Sequence, residues 1–332
     1  MNGARRSAQK TVSQHADTRP DHGKGLAKAA KGPGSGYPVD GGLPCLRVGR
    51  FVDFGARRSR DPENLKGANM TSGPAFELLR RHGALVLAAL GPLLILLLMA
   101  PIPQDPAYHA FADQRTLLGV PNFSDVASSL PLVLLGAVGL WGCLARWVGG
   151  ASAGWLVVFA GITLVGAGSA YYHWAPDNGT LVWDRLPLTL VYTGLFIAFV
   201  SEWISPQLAA FLLIPTLLAG VGSVIYWHYY DDLRLYAWIQ LLPLLTLPVI
   251  IILYRPQYSH YRYLVATLVF FVLARISEVY DREIFVLTEK LFSGHTLKHI
   301  LAALAVCALL IMLRVRTPIP GRWPGRPGPV GR

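Results

Sequence analysis

Cysteine is scarce in this chain: Cys45, Cys143 and Cys307 are the only three in 332 residues. They have neither the spacing of metal ligands nor a disulfide framework, so a cysteine-built metal site and a disulfide-stapled fold are both excluded. Charge is scarce too, at 15% of residues, and acidic charge most of all, with 19 Asp and Glu against 30 Lys and Arg. The sequence contains no phosphate-cradling glycine loop, no nucleophile elbow and no nucleic-acid module, so no nucleic-acid partner is expected. It also lacks the internal repeat of a transporter built from paired halves.

What fills the space is apolar. Hydrophobic residues make up 53% of the chain and mean hydropathy is +0.41, far from the globular norm and toward a polytopic membrane protein. Runs of roughly 20 mostly apolar residues recur from residue 84 onward. They predict an extra first helix over 84–101, then seven more over 126–147, 153–174, 185–204, 207–227, 234–254, 262–280 and 295–314. Pro187, Pro206, Pro215, Pro243 and Pro248 lie in or beside these runs, which a packed membrane bundle tolerates. The expected fold class is all-helical, a seven-helix core with one additional N-terminal transmembrane helix.

Charge orients the bundle. With the N-terminus cytoplasmic, most Lys and Arg fall on the cytoplasmic side, while Asp105, Asp113, Asp125, Asp177, Asp231, Asp232, Asp281, Glu283 and Glu289 crowd the other. Both termini are therefore expected in the cytoplasm of a multi-pass protein of the cell membrane. Residues 1–69 carry 13 basic against 6 acidic residues, show no helical or strand period, and read as a disordered basic tail. Met70, followed by Thr71-Ser72-Gly73-Pro74 and the basic Arg80-Arg81, offers an alternative start. Residues 70–103 form the basic flank and first helix, 104–314 the core, and 315–332 a Pro, Gly and Arg-rich tail. The helix over 84–101 is read as an uncleaved anchor, because Pro101-Ile102-Pro103 offers no small-x-small cleavage site.

Against this apolar background five polar residues stand out: Ser169 and His173, Asp184, and His295 with His299. Each pair is four residues apart and so shares a helix face. On the orientation above, all five converge on the non-cytoplasmic leaflet. Three imidazoles leave a fourth position open on tetrahedral zinc, the arrangement of catalytic sites. Zinc there acidifies water and polarises a carbonyl. Asp184 suits a general base or a partner that fixes a histidine tautomer, and Ser169 suits a donor to a developing oxyanion. The implied chemistry is hydrolysis of an amide or ester at the membrane surface.

Each feature has a plainer explanation in isolation. A histidine beside Tyr172 and Trp174 fits an interfacial position, His-x-x-x-His alone is a weak signal, and Ser169 within Gly166-Ala167-Gly168-Ser169-Ala170 fits small-residue helix packing. Their conjunction at one depth favours the metal site. Elsewhere, Arg275 and Glu278 are spaced for an ion pair, Tyr226-Trp227-His228-Tyr229-Tyr230 reads as an aromatic belt, and Lys298 is expected to snorkel to the interface.

Gly168-Ser169-Ala170-Tyr171-Tyr172-His173, then Trp183-Asp184-Arg185-Leu186-Pro187, then Gly294-His295-Thr296-Leu297-Lys298-His299 resemble the Ser-x-x-x-His, Asp and His-x-x-x-His motifs of the alkaline ceramidases. That family belongs to a superfamily of seven-helix membrane hydrolases that includes adiponectin-type receptors and haemolysin III-like proteins. The resemblance covers about 104–314. It implies that His173, His295 and His299 hold zinc, that Asp184 assists the water, that Ser169 orients the substrate carbonyl, and that a ceramide-like N-acyl lipid is cleaved to fatty acid and amine. Two departures matter. Arg185 stands where the family commonly has an acidic residue, and of the family's calcium site only Asp113, Asn122 and Asp125 are remnants, which puts calcium and headgroup preference in doubt. Two rival classes remain: a receptor-like lipid-binding protein with a structural zinc, and a haem-binding membrane cytochrome.

Overall fold

The computed structural model describes residues 73–146 and 152–321; the expected basic tail over 1–69 and the last eleven residues of the expected C-terminal tail lie outside them. The described chain is helical: α1 (Pro74–Leu98), a 3-10 turn (Pro106–His109), α2 (Phe123–Leu144), α3 (Ala153–Trp174), α4 (Asn178–Phe199), a π-helical turn (Val200–Ile204), α5 (Pro206–Tyr230), α6 (Arg234–Leu253), α7 (Tyr263–Val279), α8 (Asp281–Leu287) and α9 (Gly294–Val315). Seven of these segments are long and apolar enough to cross a membrane, and α7 with α8, bent by 85°, makes an eighth if the pair is one span. Many large apolar side chains face outward, including Leu87, Leu134, Phe211, Leu218 and Ile252. A water-soluble protein rarely carries so much exposed apolar surface; hydrocarbon accommodates it.

Helix starts follow local chemistry. Asp177 and Thr180 form a reciprocal capping box, Thr180 N donating to Asp177 Oδ1 at 2.6 Å and Asp177 N to Thr180 Oγ1 at 3.1 Å. Those amide donors hold the Asp177 carboxyl below the usual range. The cap starts α4 at Asn178, seven residues earlier than the apolar run suggested. Asp184 therefore lies in the second turn of the helix rather than just before it. Ser205 and Ser293 cap α5 and α9 by a single bond each, their hydroxyls accepting from Leu208 N and Thr296 N. Pro131, Pro187, Pro215, Pro243 and Pro248 are all accommodated inside helices.

Packing places α3 between α2 and α4, α9 between α2 and α7, α5 and α6 against α4, and α1 on α6. The α3–α4 contact rests on Gly168, where an added Cβ would stand 2.0 Å from the Trp183 carbonyl oxygen. Only glycine permits that approach, and it draws Asp184 against α3.

At the bundle end holding the α9 C-terminus, Glu202 in the π-helical turn accepts from Arg316 Nη1 at 2.7 Å and from Trp155 Nε1 at 2.6 Å. The side chains of Arg316 and Glu202 are 3% and 8% exposed, so this is a buried pair. Removing one partner strands the other's charge. Arg316→Met is expected to destabilise the protein by about 3–5 kcal/mol, read as a lowered unfolding midpoint in detergent. An unchanged midpoint would show that Glu202 is not held by this pair.

Candidate metal centre

His173 lies at the last turn of α3, and His295 and His299 occupy successive turns at the start of α9. α2, α3 and α9 bring all three imidazoles together, buried, with one nitrogen of each within 4.8 Å of the others. This is the one group of three or more His, Cys, Asp or Glu side chains gathered in this way among the described residues. Ring centroids are 4.7, 5.1 and 5.0 Å apart for the pairs 173–295, 173–299 and 295–299.

The donor set fits zinc. Two nitrogens each about 2.0–2.1 Å from a tetrahedral zinc stand about 3.3 Å apart. His295 Nε2 and His173 Nε2 are 3.2 Å apart. His299 Nδ1 is engaged by Ser128 Oγ at 2.9 Å and lies 3.4 Å from Ser129 Oγ, which directs its Nε2 inward. Lys298 Nζ lies 2.9 Å from His295 Nε2, so the ammonium has to turn away from that nitrogen for it to ligate an ion.

Neighbouring groups fix the backbone that carries these rings. Asn122 Nδ2 donates to the His173 carbonyl at 2.8 Å, tying the end of α3 to the start of α2. The His295 amide donates to Asp281 Oδ1 at 2.7 Å, and Asp281 Oδ2 accepts from Ala112 N at 2.9 Å. Gly294 makes that junction possible: an added Cβ would lie 2.1 Å from the Ser277 carbonyl oxygen. Phe111 roofs the site, its ring 4.7 Å from those of both His173 and His295. The 3-10 turn beside it is anchored by His109, whose Nδ1 pairs with the Tyr172 hydroxyl at 2.8 Å and whose Nε2 pairs with Asn178 Oδ1 at 3.0 Å.

Ser169 stands between the cluster and the carboxylate. Its hydroxyl lies 3.5 Å from His299 Nε2, and the Asp184 carboxyl of α4 is its neighbour on the other helix. All five residues singled out from the sequence are thus brought to one end of the bundle. Asp113, Asn122 and Asp125, the residues considered for calcium, are engaged separately: Asp113 pairs with Arg115, Asn122 holds His173, and Asp125 accepts from Thr296 Oγ1 at 2.7 Å.

Three sequence expectations change or sharpen. Lys298 does not snorkel outward; it turns inward to Glu278, with Nζ 3.0 Å from Oε1, because that carboxylate offers a partner inside the bundle. Arg275 pairs with the same Glu278, as its spacing suggested. Trp227 leaves the expected aromatic belt: it is 2% exposed and lies under the Arg185 guanidinium at 4.1 Å.

Ser128, Ser129 and Asp281 were not legible as site residues from sequence. The available signal was the Asp125-Val126-Ala127-Ser128-Ser129 run, polar at the start of an apolar helix. If Ser128 and Ser129 fix the His299 tautomer, replacing both by alanine is expected to weaken zinc affinity roughly ten- to hundredfold, measured by competition with a zinc chelator. Affinity within about twofold of the parent would remove them from that role.

The fold and site together define the class: a membrane-type helix bundle with a buried three-histidine group at one end. No family model, curated protein or solved structure matches the chain.

Proposed function

We propose that this chain is a zinc-dependent intramembrane amide hydrolase acting on ceramide-like N-acyl lipids, releasing a fatty acid and an amine such as a sphingoid base. Its seven-helix core spans about 104–314, with α1 as an additional N-terminal transmembrane helix. Both termini face the cytoplasm, and the site opens toward the opposite face. The observation that carries the reading is the meeting of three imidazoles with Ser169, 3.5 Å from His299 Nε2, and with Asp184, a partly buried carboxylate on the neighbouring helix.

His173, His295 and His299 would hold the zinc, which when bound supplies Lewis acidity toward a carbonyl and lowers the pKa of water. The chain's own residues do the rest. Ser169 donates to the substrate carbonyl oxygen as negative charge develops there. Asp184 takes a proton from the attacking water and returns it to the amine nitrogen as it leaves. The water oxygen ends on the acyl carbon, the C–N bond breaks, and the amine departs neutral. Phe111 and the anchored 3-10 turn limit access of bulk water from the bundle end.

The test is incubation of the purified full chain with an N-acyl sphingoid lipid. Fatty acid and amine are expected in equal amounts, suppressed by a chelator and restored by zinc. Zinc bound without turnover of any N-acyl lipid would contradict the hydrolase reading and favour the receptor-like one.

A further inference from the structure

Arg185 is 6% exposed, yet it forms no ion pair among the described residues. Its Nη2 donates to Gln104 Oε1 at 2.6 Å, while its Nη1 is buried with no partner. The guanidinium is enclosed by aromatic rings, with Trp227 at 4.1 Å, Tyr236 at 5.1 Å and Tyr108 at 5.6 Å. Such a cage orients the fork and removes competing water but supplies no negative charge. Gln104 is held in turn: its amide donates to Asp231 Oδ1 at 2.9 Å and its side chain to the Asp105 carbonyl at 3.1 Å. This is a built cationic site with one donor left over, and a buried charged donor without an acceptor is unfavourable.

The site borders the proposed reaction centre. Arg185 directly follows Asp184 on α4, and Tyr108, which faces its guanidinium, is 36% exposed at the end of the bundle. The charges nearby are unbalanced. Lys298 and Arg275 share Glu278, and Arg185 has no carboxylate partner among the described residues. Arg185 also contacts the 104–108 segment at the end of the bundle, the depth of a polar headgroup rather than of an acyl chain.

We propose that Arg185 binds an acidic group on the amine side of the substrate, so that the preferred substrate is an N-acyl lipid whose headgroup carries a carboxylate or a phosphate. This rests on the hydrolase reading for the word substrate, but the binding site stands independently of turnover. The forked guanidinium, already fixed at one nitrogen, presents Nη1 to such an oxygen in a charge-assisted hydrogen bond. Hydrolysis would then release the fatty acid and an acidic amine, such as an amino acid or a phosphorylated amino alcohol.

Equilibrium binding separates the two readings. N-lauroylglycine, N-lauroylethanolamine phosphate and neutral N-lauroylethanolamine are titrated calorimetrically into the zinc-loaded full chain and into Arg185→Gln, Arg185→Lys and His299→Ala. The acidic ligands are expected to bind the parent roughly ten- to hundredfold more tightly than the neutral one. The ranking of carboxylate and phosphate names the source. Arg185→Gln is expected to reduce the preference to about twofold or less without weakening the neutral ligand, and Arg185→Lys to retain part of it. His299→Ala should keep it, because the zinc is not what holds the acid. Equal binding of acidic and neutral ligands by the parent overturns the proposal without any variant. A preference that survives in Arg185→Gln, or disappears in His299→Ala, overturns it as well. A preference that depends on Arg185 with no cleavage of any ligand would support the site and contradict the hydrolase reading instead.

Discussion

Asparagine in place of Asp184 is expected to leave zinc bound and to lower turnover by roughly two to four orders of magnitude, the usual contribution of a positioned acid–base group. The substitution preserves shape. Asparagine fills the same volume, and Gly168 still admits the Trp183 carbonyl, so the α3–α4 contact that sets the site remains. What is lost is the ability to take and return a proton. Because Asp184 is not among the three converging imidazoles, zinc content is expected to match the parent. The result is read as kcat against KM with metal content measured on the same preparation. Turnover within about threefold of the parent would remove Asp184 from the mechanism, and parallel loss of zinc would make it a ligand or its support.

Alanine in place of His299 is expected to have the opposite signature, losing both zinc and activity. His299 is the imidazole most firmly held, between Ser128 on one ring nitrogen and Ser169 near the other. Its removal leaves two converging nitrogens, those of His173 and His295, and no other His, Cys, Asp or Glu among the described residues joins that group. Zinc affinity depends on ligand number and preset geometry, so content after mild chelator treatment is expected to fall below about a tenth of an ion per chain. Unchanged zinc would break the ligand assignment. The contrast between the variants is sharper than either alone: one keeps the metal without the chemistry, the other keeps the carboxylate without the metal.

Apolar run length exposed the long helices from α2 onward, because a membrane span must satisfy its backbone internally and so writes itself as an uninterrupted segment. Helix ends were less legible. The start of α4 is set by the Asp177–Thr180 capping box, polar residues that a hydropathy window excludes. The four-residue spacings on α3 and α9 revealed His173, His295 and His299, since helical geometry stacks such pairs on one face. Ser128 on α2 and Asp281 at the α7–α8 bend were invisible, because they reach the histidines only through tertiary packing. Lys298 failed for a related reason. Its inward turn depends on Glu278, twenty residues away, and nothing local announces the pairing. Arg185 was legible as a departure, but its aromatic cage draws on α5, α6 and the 104–108 segment and emerged only in three dimensions.

An accessibility tag placed after Lys290 checks the orientation separately, with labelling from the non-cytoplasmic side expected and cytoplasmic labelling inverting the topology. The most direct test of the central claim is metal content per chain, by plasma mass spectrometry, on full-length protein purified in detergent without chelator. The account predicts about one zinc per chain, as three inward-facing imidazole nitrogens require. No zinc after purification and zinc supplementation would contradict it, leaving the three buried histidines without their proposed role.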